Sequence, residues 1–445
     1  MTRSSPVASS SPAVSAPRDP LSRRSFLAST SAAGGIAAGA MVHSSLAAAE
    51  TSQELRIAVI GCGGRGSGAV SDSLSINDRV KVVAAADLYP AKCAALRRSL
   101  ADAHAGKVDL DDSRIFGGLD GYKRVLDSPD VDLVIITTSP GFRPRYVLEA
   151  VAAGKHVFAE KPSCVDPAGY RICLAAHDAA IEGKTAIVCG TQYRRQVNYI
   201  GAVDQIRQGA IGDVIGATAR YCASGIWYRP RTAGMSDAEY QLNNWMHFIW
   251  VGGDQIVEQA VHNLDTMNWV MGANPVSVFG SGGRFTRPDD SEMWDSMCLD
   301  YEYPGHRVVS FMCRQIPDTA NDISNVIYGS KGECHINSAS GGSRIFDRSG
   351  QKVWEMAGSI AAAYKQEHKD LVDSIRAGKP IVELRQMADS SLVAVMGRMA
   401  AYTGQTVTWK FVTEQSKLDL FPKDLTWGGE LPKPGFAVPG RTKLI

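Results

Sequence analysis

From residue 55 onward, short and predominantly apolar runs alternate with longer stretches of helical spacing. The runs are 55–60 (LRIAVI), 80–86 (VKVVAAA), 132–138 (DLVIITT), 156–159 (HVFA) and 186–189 (AIVC). Hydrophobicity that is continuous rather than alternating marks strands covered on both faces, the condition of a parallel sheet. Between the runs, helical spacing appears near 65–74, 144–153 and 167–182. Strand and helix alternating at this interval predict a doubly wound parallel α/β sheet. Residues 104–118 fit neither period and read as a long loop. Past residue 192 the pattern changes: 214–224, 276–284, 296–303 and 307–313 are strand-like, shorter runs follow at 323–336, and 254–271 has helical spacing. Residues 411–445 contain several Pro and Gly and read as an extended tail along the surface.

The first 49 residues stand outside this pattern. Residues 1–20 are rich in Ser, Pro and Ala and lack apolar periodicity. Ser22-Arg23-Arg24-Ser25-Phe26-Leu27 then leads into a weakly apolar Ala/Gly stretch that ends Leu46-Ala47-Ala48-Ala49. A basic start, a short apolar middle and an Ala-x-Ala end make an export signal, cleaved after Ala49. Its paired arginines resemble the twin-arginine signal, which implies a periplasmic or otherwise exported protein that folds before transport. The apolar middle is too short and Gly-rich for a stable membrane span.

Charge narrows the picture further. The 445 residues carry 47 Lys and Arg against 46 Asp and Glu, a formal +1. The leader holds four arginines and Asp19, so without it the balance is −2. Neither value supplies the basic field that nucleic-acid binding needs. The nine cysteines include no CxxC pair and are odd in number, which excludes a disulfide scaffold or a zinc ribbon and leaves them as small buried apolar residues.

The first apolar run opens directly into Gly61-Cys62-Gly63-Gly64-Arg65-Gly66. Gly61, Gly63 and Gly66 satisfy GxGxxG: the first permits a tight turn, the second admits a pyrophosphate to the backbone, and the third lets helix pack on strand. The helix that follows aims its N-terminal N–H groups at the phosphates. Asp87 closes the second strand, where a carboxylate accepts hydrogen bonds from the adenosine ribose and repels a 2′-phosphate. Leu88 and Tyr89 offer no cation for that phosphate, so NAD is favoured over NADP, with Arg65 the one basic group able to reverse the preference. Gly64, Arg65 and, at other strand ends, Thr138, Glu160 and Lys161 complete the expected cofactor residues. Ligands in such sheets lie beyond the strand ends.

GCGGRG, AGKHVFAEKP, GTQYRR at 190–195, GGDQIVEQAVHNLD at 252–265 and YKQEHKDLVDSIRAGKP at 364–380 together resemble the Gfo/Idh/MocA oxidoreductases, in order across roughly 55–410. The resemblance is greatest to exported members with TSPGFRP where others have a Pro-Asn/Asp-x-x-His loop. It implies a Rossmann domain at 50–192 and, at 193–410, an α+β domain with an open, mainly antiparallel sheet for substrate and homo-oligomer contacts. It also implies His262 as the proton-transferring group beside an acid four residues earlier, usually Asp and here Glu258, and glycines where this chain has Asp254 and Ala260.

Four residues apart on one helix face, Glu258 and His262 are expected to touch, with the acid orienting the imidazole and favouring its charged form. Lys161 is expected to stabilise developing alkoxide charge. Arg143, Tyr193 and Arg194, all near strand ends, join His262 as substrate-contact candidates, and Asp265 as a supporting residue. The 226–250 segment holds Trp227, Tyr228, Arg229, Trp245, His247 and Trp250, suited to a sugar face or to a subunit interface. No metal site is expected. The leading reading is hydride transfer between a secondary hydroxyl of a sugar, cyclitol or derivative and a tightly bound nicotinamide cofactor. A redox-neutral NAD-dependent glycosidase and a non-catalytic nucleotide-binding protein are the alternatives.

Overall fold

The computed structural model describes residues 54–337, 342–431 and 435–445. The leader lies outside the described residues. Strands β1 (Leu55–Ile60), β2 (Val80–Asp87), β3 (Ile115–Gly117), β4 (Leu133–Ile136), β5 (His156–Ala159) and β6 (Ile187–Cys189) form one sheet in the order β3-β2-β1-β4-β5-β6. Every pair in it is parallel. The burial explains the sequence signal: Ile57, Ala58, Val59 and Ile60 face alternate sides, yet each is no more than 2% exposed. The presumed loop at 104–118 holds edge strand β3, which is only three residues long and half exposed, so its periodicity is invisible.

Strands β7 (Val214–Ala223), β8 (Ser277–Gly283), β9 (Ser296–Tyr303), β10 (Arg307–Gln315), β11 (Asp322–Gly329), β12 (Gly332–Asn337), β13 (Ser343–Asp347), β14 (Lys352–Met356) and β15 (Val407–Thr408) form a nine-stranded sheet. Its order is β14-β13-β12-β11-β7-β10-β9-β8-β15, antiparallel except between β7 and β10. Here alternation is clean: Val309, Phe311 and Cys313 point inward, while Val308, Ser310 and Met312 point out. Helices Val261–Met271 and Leu384–Thr403 cover the inner face. β13 and β14 escape a sequence reading because each is five residues long with few buried positions, and β14 is the edge strand.

Two features tie the sheets together. Helix Ile360–Arg376 follows β14 in sequence but packs on helix Gly64–Ile76, and its Leu371 and Val372 enter the core of the first sheet. The 411–431 segment also docks: Phe421 sets its ring against Phe142 and Trp250 at 5.5 and 5.8 Å. All nine cysteines are free, eight of them buried; Cys298 is the exception, exposed on the outer face of β9. Among the described residues no helix is long and apolar enough to cross a membrane.

Candidate active site

The turn after β1 is built for close approach. Gly61 has φ +98°, a conformation open to glycine and strained for other residues. A Cβ on Gly66 would lie 2.0 Å from the Gly61 carbonyl oxygen, so only glycine lets the helix start against the strand. A Cβ on Gly63 or Gly64 would meet nothing within 4 Å. Their open side faces a cavity of about 410 Å³ that runs from the glycines to Asp87, Leu88 and Tyr89. Asp87 is pinned at its far end, its carboxylate accepting from the N–H groups of Cys62 (2.8 Å) and Tyr89 (3.0 Å).

Two basic residues change the expected picture. Arg65 is ion-paired to Glu160 and lies over the Tyr364 ring at 4.5 Å, which turns it away from Asp87 and removes it as a ligand for a 2′-phosphate. The cation near Asp87 is instead Lys92, at 3.8 Å, one helical turn past the Leu88-Tyr89 pair. Because Lys92 remains beside the ribose site when the acid is removed, Asp87→Ala should weaken NAD binding about 10- to 100-fold, the worth of hydrogen bonds to a charged group. The same change should narrow the NAD over NADP preference. Titration of both nucleotides checks this, and an unchanged ratio of affinities would remove Asp87 as the discriminating group.

The wall opposite the glycines comes from the 226–250 segment: Trp227, Arg229, Leu242, Asn243 and Trp245. It is fastened down. Asn243 Nδ2 donates to the Tyr89 hydroxyl across the cleft at 3.1 Å, and His247 bonds the Trp227 carbonyl oxygen at 2.8 Å. Trp427 stands edge-on to Tyr89 at 5.3 Å, and its carbonyl oxygen accepts from Ser236 Oγ at 2.7 Å. Sequence reading flagged these aromatics without placing them, since their target is the other sheet's loops. Trp250 lies apart, buried against Phe142.

Trp245 also borders a second cavity, of about 520 Å³, which holds the remaining candidates. Lys161 emerges from β5 before a cis bond to Pro162. Its ammonium donates to Glu258 Oε1 at 3.1 Å and to the Glu258 carbonyl oxygen at 2.5 Å. Glu160 is buried, accepting from the Lys161 N–H at 3.0 Å and paired with Arg65. Thr138 lines both cavities with Oγ1 buried and unpartnered among the described residues. Tyr193 lies between His262 and Tyr199, with ring centroids 4.9 and 4.6 Å away. Arg143 is buried in the wall, donating to the Pro162 carbonyl oxygen at 2.8 Å.

Two expected roles are corrected. Glu258 does not orient His262. The expected helix over 254–271 breaks into Gln255–Glu258 and Val261–Met271, so the two side chains no longer share a face. The break falls at Gln259 and Ala260, where Ala260 N reaches back five residues to the Gln255 carbonyl oxygen at 3.1 Å. Asp254, at φ +78°, caps the first helix and accepts from Gln255 N (2.5 Å), Trp294 N (2.9 Å) and the Tyr402 hydroxyl. Glu258 grips Lys161 instead, and its second oxygen accepts from Gln259 Nε2 at 2.5 Å. Nor is His262 held charged. Burial pushes its pKa well below the ordinary value, and the Lys161 and Arg65 cations push the same way. Arg194 is the second correction: it forks onto Asp265 at 2.8 and 2.9 Å, over the Trp269 ring, and does not line the cavity. Sequence reading missed Gln192, Tyr221, Gln259 and Tyr364 as cavity residues. Gln192, Gln259 and Tyr364 sit inside recognised blocks, the only signal they carried.

Comparison with known proteins follows the same outline. Residues 55–182 match the model described as "Oxidoreductase family, NAD-binding Rossmann fold", and 199–335 match the GFO/IDH/MocA C-terminal domain. Inositol 2-dehydrogenase of Acidothermus cellulolyticus is 26% identical over 249 residues, 56% of this chain and 63% of that protein. Its Ralstonia nicotianae counterpart is 27% identical over 54% of this chain and 61% of that one. The chain thus spans about six-tenths of the length of these relatives. Among solved structures, levoglucosan dehydrogenase in complex with NADH gives a TM-score of 0.63 at 17% identity, covering 80% of this chain and 99% of that one. Scyllo-inositol dehydrogenase of Lactobacillus casei with NAD(H) and scyllo-inositol gives 0.60 at 17%, with 80% and 99% covered. At that identity the likeness is one of fold.

Proposed function

The chain belongs to the Gfo/Idh/MocA oxidoreductase family, and from that membership we propose that it moves a hydride between a secondary hydroxyl of a sugar or cyclitol and NAD. The observation that carries the reading is the convergence of Lys161 and His262 on a cavity that also borders the glycine turn. The residues fit a dinucleotide. The turn leaves open space at Gly63 and Gly64, Asp87 stands ready for ribose hydroxyls, and Thr138 Oγ1 has no partner among the described residues. Bound there, NAD would supply the hydride acceptor.

The protein supplies the proton chemistry. Lys161 gives two hydrogen bonds to Glu258, which leaves one ammonium proton for the substrate oxygen. That donor stabilises negative charge as the hydroxyl proton departs. His262 receives the proton. A base must be neutral to accept one, and burial beside two cations keeps this imidazole neutral at physiological pH. Glu258 acts through Lys161, holding the ammonium in place.

The fastened wall of Trp227, Arg229 and Asn243 supports a nucleotide that stays bound between turnovers. The sequence of the leader supports export through the twin-arginine route, which an exported protein beginning at Glu50 would bear out and retention of the leader would not. The outer face of the nine-stranded sheet supports self-association, since Phe279, Val308, Met312 and Tyr328 are exposed on it; a monomer by light scattering would count against that. The central test is direct: release and identify the nucleotide of the purified protein, then follow 340 nm absorbance across sugars and cyclitols. Reduction of NAD by a polyol is the expected result. Nucleotide binding with no hydride transfer to any of them would overturn the reading.

A further inference from the structure

Arg143 is a charged side chain in the reaction cavity that the proton chemistry leaves without a task. The charges lining that cavity are three cations, Arg65, Arg143 and Lys161, and two carboxylates, Glu160 and Glu258. Both carboxylates are committed: Glu160 pairs with Arg65, and Glu258 with Lys161. His262 is neutral. The cation left without a direct ion pair among the described residues is Arg143, which Glu160 and Glu258 attract only through space.

The arrangement around Arg143 is costly unless something offsets it. The residue is 5% exposed and no carboxylate lies within ion-pair distance among the described residues. Among the described residues its guanidinium donates to the Pro162 carbonyl oxygen, and its Nε is buried without a partner. Burial lowers its pKa to about 10, still far enough above neutrality to keep it charged. Unpaired buried charge is unfavourable, and proteins hold it mainly where a bound partner completes it. The Pro162 contact fixes the guanidinium in the wall of the cavity that Lys161 and His262 also line, whereas the phosphates of a dinucleotide belong at the glycine turn.

We propose that the substrate of this site is an anionic sugar, one whose ring bears a carboxylate, and that Arg143 binds that group while Lys161 and His262 handle the reacting hydroxyl. The inference rests on the hydride-transfer reading for its reaction but not for its binding claim. A guanidinium suits a carboxylate in shape and charge, and a phosphate ester shares that chemistry. It also separates this chain from the inositol 2-dehydrogenases it resembles, whose named substrate carries no charge.

The test uses matched ligands on the mature, nucleotide-loaded protein: an aldohexose, its uronic acid and its 6-phosphate. Intrinsic fluorescence, with Trp245 at the cavity, gives dissociation constants, and 340 nm absorbance gives kcat/KM. The uronic acid should bind at least about tenfold more tightly than the neutral sugar, the scale of one charge-assisted contact. Arg143→Gln should bring that ratio near one, and Arg143→Lys should retain part of it. A better-bound 6-phosphate would keep the anion requirement and overturn the carboxylate assignment. Neutral sugar bound as tightly as both anions would overturn the proposal and leave hydride transfer standing. A tightly bound acid that never reduces NAD would do the opposite. If Arg143→Gln weakens NAD binding and leaves the sugar ratio unchanged, the residue serves the nucleotide and the proposal fails.

Discussion

Lys161→Met and His262→Ala should each lower kcat by at least about 10²-fold, the usual contribution of a positioned proton-transfer group, while nucleotide stays bound. Methionine keeps the length of the lysine stem and removes every donor, so the substrate oxygen loses its stabilising contact. Alanine at 262 removes the base. The pH profile separates the two roles. Because burial, Lys161 and Arg65 all lower the His262 pKa, the imidazole is neutral through the ordinary histidine range. Activity should fall only when acid protonates it, so the acidic limb of kcat should lie well below pH ~6.5. A limb centred at or above that value would assign the base elsewhere. Glu258→Gln should lower kcat without moving the limb, since Glu258 contacts Lys161 and not the imidazole. Near-normal turnover in either first variant removes that residue from the mechanism.

The second large effect lies in the glycine turn, where two neighbouring glycines are required for different reasons. Gly66→Ala places a methyl 2.0 Å from the Gly61 carbonyl oxygen and 2.8 Å from Thr137 Oγ1. Backbone cannot rotate away as a side chain can, so the Gly64–Ile76 helix or the turn must shift. Such overpacking costs about 1–3 kcal/mol. Melting temperature and NAD affinity should fall together, affinity on the order of 10²-fold. Gly63→Ala behaves differently. Gly63 has φ −77°, which alanine adopts freely, and its Cβ would have open space around it. It should fold with an unchanged melting temperature and still bind NAD poorly, because the methyl occupies the path of the phosphates. Calorimetry and nucleotide titration distinguish these outcomes. A Gly63→Ala protein with normal NAD affinity would move the phosphates off this turn.

Much of this protein is legible without its structure, for a local reason. A parallel strand covered on both faces must be apolar throughout, so β1, β2, β4 and β5 announce themselves in a few residues each. The glycine turn is similarly self-contained, its chemistry confined to 61–66, and Asp87 follows from the strand that ends on it. Lys161 and His262 are legible because each sits in a short block that carries the family resemblance; that both line one cavity is shown by the fold.

What the sequence could not decide were pairings between distant segments. Lys161 and Glu258 are 97 positions apart, and Arg194 and Asp265 are 71 apart. The four-residue spacing of Glu258 and His262 pointed to a local pair, but the helix is interrupted at Gln259 and Ala260, and the acid meets a lysine from the other sheet. Arg194 has the composition of a substrate contact, and only the fold shows an aspartate already holding it. The wall over the nucleotide cleft likewise joins Trp227 and Asn243 to Tyr89, which lies more than a hundred residues earlier. Spacing along a chain determines which face of one element a side chain occupies. Which charge meets which depends on how elements far apart in sequence are packed together, and that is set by the tertiary structure alone.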